Sequence, residues 1–252
     1  MSDPGGVGLS RSSDGARADV ALAIRPVNVL GAADLVRLAG CVREAAPPAR
    51  VTVLRGLPHV FSAGVDVAEH APEPAAIETM LGAMRSALSA LVETPAVTVA
   101  AVLGACLGGG AELVAACDVV LVAEDARVAF PEIGLACFPP GACALLPLRI
   151  GEARAAEWIL TGRRVSGREA AEAGFAARAV PAASLEAETE SLVARLIATA
   201  PAALAGARDL LRARRREALA ARLPAAEDAY RRLAGDSDLA KAVADFGKAR
   251  PR

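Results

Sequence analysis

At 252 residues the chain is long enough to bury a sizeable core, as one large domain or as a domain with an appendage. Its formal net charge of −1 gives no overall bias toward nucleic acid or an anionic membrane surface. Hydrophobic residues make up 54% of it but aromatic ones only 3%, so the core is expected to pack from Ala, Val and Leu with close backbone approach.

No apolar run approaches the roughly 18 residues of a membrane span. Residues 1–17, rich in Gly, Ser and Asp, lack the apolar stretch of a secretory signal and read as a disordered tail. The five cysteines, at 41, 106, 117, 137 and 143, include no C-x-x-C pair and read as small buried hydrophobes of a reducing compartment. A soluble, cytoplasmic protein is expected.

In chain order, Asp19 to Arg25 alternates weakly as a strand, and Pro26-Val27-Asn28 turns out of it. Ala32 to Ala45 reads as a helix with Leu35, Leu38, Ala39 and Val42 on one face. Val51 to Leu54 is a buried strand. Phe61-Ser62-Ala63-Gly64-Val65-Asp66 follows, with small residues around Gly64 that leave its backbone open to a ligand. Ile77 to Leu91 has helical spacing. Val97 to Leu103 is a β-branched run of the kind that forms a strand buried on both faces.

The next stretch organises the chain. Gly104-Ala105-Cys106-Leu107-Gly108-Gly109-Gly110 turns tightly into a short helix, Ala111 to Ala116, whose first turn carries Glu112. A strand, Val119 to Ala123, and a short run to Phe130 then lead to Pro131-Glu132. Glycine amides at a helix start, with two glutamates, suit an acid/base site. The glycines form neither a G-x-G-x-x-G fingerprint nor a Walker A loop. Ile133 to Gly141 is a loop stiffened by Pro139 and Pro140, and Ser166-Gly167-Arg168-Glu169 has the form of a capping box. The last third is helical, with segments at 183–198, 202–222, 225–233 and 238–246. Strand–helix alternation followed by these helices indicates an α/β fold.

Five pieces, PVNVL (26–30), FSAGVD (61–66), GACLGGGAELVAACD (104–118), ARVAFPEIGL (126–135) and LTGRRVSGREAAEAGFAARAVP (160–181), resemble the enoyl-CoA hydratase/isomerase (crotonase) superfamily in order and spacing. The resemblance implies a crotonase-like spiral of β-β-α units over 18–196. It also implies a C-terminal helical region, 197–252, that assembles a homotrimer or hexamer. The implied substrate is a CoA or acyl-carrier thioester, with no metal or redox cofactor. By the same resemblance Glu112 and Glu132 are the catalytic glutamates, and the backbone amides of Ala63 and Gly109 form the oxyanion hole. Ser62, Gly64, Val65, Asp66, Gly108, Pro131, Pro139 and Gly141 are expected around the substrate. FPPGACALLPLRIG (138–151) departs from the common hydratase pattern and looks more like members that hydrate cyclic dienoyl thioesters. Lys248 stands one place off the family's Phe-x-x-Lys, which puts its contact with CoA in doubt.

The adding of water to an enoyl thioester builds an enolate-like oxyanion. Two fixed N–H groups suit that charge, and two carboxylates around one water suit the proton transfers. No His/Cys/Asp cluster has metal-ligand spacing. His59 and His70 read as surface residues, Ser62 and Asp66 mainly as loop structure, and Cys137 and Cys143 as packing, with lining of the acyl pocket as the alternative. The basic run Arg212, Arg214, Arg215 and Arg216 reads as a solvated helix face, with contact to CoA phosphates as the alternative. RNA binding is disfavoured, because the 32–45 helix carries only Arg37 and Arg43. An enoyl-CoA isomerase or an acyl-carrier-linked dehydratase is an alternative within the same chemistry; a non-catalytic thioester binder is the competing reading, and the retained glutamate pair argues against it.

Overall fold

The structure, a computed structural model, describes residues 5–70 and 73–249; of residues 70 and 246–249 only the backbone is described. The side chains of His70 and Lys248 therefore lie outside the description. The first strands are β1 (Val7–Arg11), β2 (Arg17–Leu22) and β3 (Val29–Leu30), followed by α1 (Ala32–Ala45). Next come β4 (Val51–Arg55), β5 (Val60–Ser62), β6 (Gly64–Val65) and α2 (Pro74–Glu93). The middle of the chain forms β7 (Val97–Val102), β8 (Ala105–Leu107), α3 (Gly109–Ala116), β9 (Val119–Ala123) and β10 (Arg127–Ala129). It continues through α4 (Pro140–Ile150), α5 (Glu152–Thr161), β11 (Val165–Ser166), α6 (Gly167–Glu172) and β12 (Arg178–Val180). Four helices follow: α7 (Leu185–Ala198), α8 (Pro201–Ala221), α9 (Leu223–Arg231) and α10 (Ser237–Ala249).

The strand pairing is that of a spiral. One sheet runs β1-β2-β4-β7-β9-β12, parallel except for the β1–β2 pair, and a second runs β11-β10-β8-β5. Each turn of chain adds one strand to the first sheet, then one to the second, then a helix: β4, β5, α2, then β7, β8, α3. This is the crotonase-like arrangement that the sequence suggested. β7 is buried along its whole length, as its unbroken apolar run requires. One face of the first sheet meets the main core beneath α1, α2 and α3. On the other, Val51, Val53, Val97 and Val99 pack with Val193 of α7 and its neighbours.

Residues 7–11 are not part of a tail. They form an edge strand whose five residues pair with β2, and Arg11 reaches the Glu44 carbonyl of α1 at 2.6 Å. The apolar alternation of β1 is only two residues long, Val7 and Leu9, and of these only Val7 is buried. Helix α2 is long and apolar enough to cross a membrane, yet it packs against α1, α3, α8 and α9 with its apolar face buried. The Ser166 cap forms, accepting from the Glu169 N–H at 3.1 Å, while Glu169 itself pairs with Arg163 instead of completing the box.

The arginine run is the largest surprise of the helical third. Arg212 is fully buried; its guanidinium bonds Asp118 and the carbonyls of Val92, Thr94 and Ala96. Arg215 bonds Asp118 and the carbonyls of Ala116 and Cys117. Two residues of the supposed solvated face are thus the clamp that fixes α8 to the centre of the spiral.

Candidate active site

Helix α3 has only eight residues, and its first turn is glycine because nothing larger fits. A Cβ on Gly109 would lie 2.6 Å from Val65 Cγ1, and one on Gly110 would lie 2.5 Å from Ser62 Cβ. Gly108, at φ +51°, turns the chain into the helix and leaves room for Glu132, whose Oε1 a Cβ there would meet at 2.7 Å. The Gly109 amide belongs to the first turn and has no intrahelical acceptor, so the positive end of the helix opens toward the glutamates.

Glu112 and Glu132 come together, as expected. Glu112 is 3% exposed, and its Oε1 accepts from the Ala142 N–H at 2.8 Å. Gly141 is beside it: a Cβ there would crowd Glu112 Oε1 to 2.9 Å. Glu132 rides on a 3₁₀ turn, Pro131–Leu135, that Pro131 opens. Its Oε2 is buried and has no hydrogen-bond partner among the described residues. Burial raises the Glu112 carboxyl above the ordinary range, against the opposing pull of the Ala142 and Gly141 amides. Burial and then the Glu112 charge raise Glu132 likewise. Burial of both carboxyls, and the charge of one beside the other, favour the protonated form of the pair.

The oxyanion position needs a correction. The Ala63 N–H is committed to the Val27 carbonyl at 3.0 Å and is not free to hold a ligand. In the parallel pair of β6 with β3 the Asp66 N–H bonds Leu30 O at 2.9 Å. Successive amides of a strand face opposite ways, so the Val65 N–H points away from β3. Val65 also touches the Gly109 position and lines the cavity. The family resemblance pointed to this loop and to Ala63, whose amide is occupied.

Ser62 is corrected as well. It is fully buried, donating to Asn28 O at 2.7 Å and accepting from the Gly64 N–H at 3.1 Å, so it builds the loop from behind. Asn28, itself at φ +51°, ties that loop to the sheet by donating to the carbonyls of Leu22 and Phe61 and accepting from the Ile24 N–H. Its motif was noted, its role not. Gly64, at φ +105°, lies against Leu107 O, which would stand 3.3 Å from an added Cβ. Asp66 accepts from the Ala68 N–H at 2.9 Å and orders the 3₁₀ turn Val67–His70. Glu69 of that turn caps α1 through the Ala32 N–H at 2.7 Å. His59 is exposed, with Nε2 at 3.0 Å from Pro26 O.

The glutamates open into a cavity of about 60 Å³. Met80, Leu81 and Met84 of α2 line it, together with Val65, Leu135, Phe138, Pro139 and Cys137. Cys137 is thus a wall residue, whereas Cys143 is not among the lining. Tyr230 of α9 and Leu239 and Val243 of α10 close the cavity from above. These three residues were not anticipated: the C-terminal helices were read as an assembly region, and nothing local tells that they fold back over the site.

A spiral of two sheets with helices stacked along it and a helical C-terminal region is the crotonase fold. A sequence model described as enoyl-CoA hydratase/isomerase matches residues 38–251. The chain belongs to the enoyl-CoA hydratase/isomerase family. An enoyl-CoA hydratase of Thermus thermophilus, named as putative, is 34% identical over 215 residues, 82% of this chain and 84% of that protein. The cyclohexa-1,5-dienecarbonyl-CoA hydratase of Thauera aromatica is 34% identical over 158 residues; the match spans 62% of this chain and 60% of that protein. A solved enoyl-CoA hydratase/isomerase from Mycobacterium paratuberculosis superposes with a TM-score of 0.87 at 25% identity, covering 97% of this chain and 100% of that one.

Proposed function

We propose that the protein adds water to, or eliminates it from, an α,β-unsaturated acyl thioester carried by CoA or an acyl-carrier protein. The observation that carries this reading is the pair of the buried Glu112 and the half-buried Glu132, its Oε2 enclosed, at the amino end of α3, with neither in an ion pair among the described residues. A double-bond shift needs one carboxylate to ferry a proton; hydration needs a second to take a proton from water.

In the proposed reaction the thioester oxygen sits between the amides of Val65 and Gly109. As water attacks the β-carbon, negative charge builds on that oxygen, and each donor lowers the barrier by roughly 3 kcal/mol. Glu112, held by the Ala142 N–H, orients the water and receives its proton. Glu132, its Oε2 unpartnered, delivers a proton to the α-carbon. Only water and protons move, so the chemistry calls for no metal or redox cofactor. Dehydration is the same path reversed.

The test is loss of the enoyl-thioester absorbance band with crotonyl-CoA, 3-methylcrotonyl-CoA and a cyclic dienoyl-CoA. Glu132→Gln is expected to lower kcat by about 10³-fold with KM nearly unchanged. Undiminished turnover would overturn the mechanism. A shifted double bond in the product would instead assign an isomerase, and thioester binding without turnover a non-catalytic binder. We propose assembly into a homotrimer or hexamer through α8, whose Leu210 and Leu211 are 80% and 76% exposed. Sedimentation as a monomer at micromolar concentration would refute that.

A further inference from the structure

Tyr230 has no part in the proton transfers, yet it is 1% exposed and faces the glutamates' cavity. Its ring packs edge-on against Phe138, centroids 5.4 Å apart. Its hydroxyl interacts with the Cys137 thiol, and that thiol donates to the Glu132 carbonyl at 3.4 Å. Leu239 and Val243 continue the same apolar cluster, which joins Ile77 and Leu81 of α2 and stands apart from the main core. Salt bridges clasp this roof to α2: Glu227, 2% exposed, meets Arg85 at 3.1 Å, and Arg231 pairs with Glu78. The roof is therefore bolted at its base and filled at its centre.

Two limits follow from that construction. The cavity is partly open, and its space between the glutamates and the roof, about 60 Å³, holds roughly four waters. The wall carries no Lys, Arg or His among its described residues, and its only charged groups are the two glutamates. A long chain meets Tyr230 and Phe138, and an acyl carboxylate meets like charge in an apolar shell.

We infer that Tyr230 is a specificity-determining residue and that the acyl group is compact and uncharged: short, branched or a single ring. This deepens the hydratase reading and rests on it for the location of the acyl group. The experiment compares binding as well as turnover, so that the two ideas fail separately. Binding of butanoyl-CoA, decanoyl-CoA and glutaryl-CoA is measured by calorimetry, and kcat/KM is measured for enoyl-CoAs of four, six and ten carbons. Wild-type protein is expected to bind butanoyl-CoA at least 30-fold more tightly than either other thioester, and to lose at least 30-fold in kcat/KM from six carbons to ten. Tyr230→Ala is expected to narrow the six-to-ten gap at least 10-fold, through KM; Leu239→Ala, a smaller excision from the same roof, is expected to narrow it in the same direction.

Equal binding of butanoyl-CoA and decanoyl-CoA by wild-type protein would overturn the inference, whether or not the variants fold. So would an unchanged gap in a folded Tyr230→Ala. Selective binding of butanoyl-CoA with no turnover of any enoyl thioester would uphold the inference and defeat the hydratase reading; no binding of any thioester would defeat both.

Discussion

The two ends of helix α3 hold carboxylates in opposite conditions. Beyond its carboxyl end Asp118 is nearly enclosed, yet it meets Arg212 and Arg215 and the amide and hydroxyl of Thr98. Burial pushes its carboxyl up, but bonding to Arg212 and the charges of Arg212 and Arg215 outweigh that and hold it below its ordinary value. Near the amino end Glu112 and Glu132 have each other and a few amides, and both are pushed up. Burial is common to both ends. What differs is the company, and company decides whether a buried carboxylate is a clamp or a reagent. The helix dipole is complemented at both ends, because Arg149 and Arg215 cover the carbonyls of Ala115, Ala116 and Cys117.

The sharpest way to break this contrast is to empty the clamp. Asp118→Ala leaves the fully buried Arg212 guanidinium without its counter-charge. It is expected to cost about 3–5 kcal/mol of stability in a urea titration. A loss under 1 kcal/mol would mean that the carbonyls of Val92, Thr94 and Ala96 suffice to hold Arg212.

The smaller effect is in pH. Raised pKa values mean that the folded glutamate pair binds more protons than the unfolded chain above the ordinary value of 4.5. The pair's contribution to stability is therefore full below that value and is lost as pH rises through neutrality. Asp118 has the opposite sign: its contribution is present above its ordinary value of 3.8 and is lost as pH falls through the depressed one. Glu112→Gln is expected to gain about 2 kcal/mol on wild type between pH 5 and pH 8.5. Parallel stability curves for the two proteins would show that Glu112 is not driven toward protonation by its burial.

Periodicity found most of the scaffold, because the parallel strands are buried on both faces and the helices carry clear stripes. The limits of α1 and β9 follow the sequence reading. Both glutamates and Gly109 were legible too, since they lie in a short, dense motif. What escaped depended on contacts between distant residues. β1 is held by backbone pairing with β2 and by Val7 and Leu9 alone among its side chains, too short an alternation to stand out. The choice of Val65 over Ala63 as a free amide depends on which side of the loop β3 occupies. Arg212 reads as solvated until Asp118 and the carbonyls before β7 are placed around it, and Tyr230 reads as an ordinary helix residue until α9 folds back over α2.

The Arg212 clamp has a consequence for the order in which the protein is made. Asp118 leaves the ribosome well before α8 exists, so the nascent spiral carries a carboxylate whose partner is still unwritten. A chain interrupted before residue 212 lacks the partners of Asp118 and holds an open charge at its middle. The clamp can close only once α8, which carries Arg212 and Arg215, has been made.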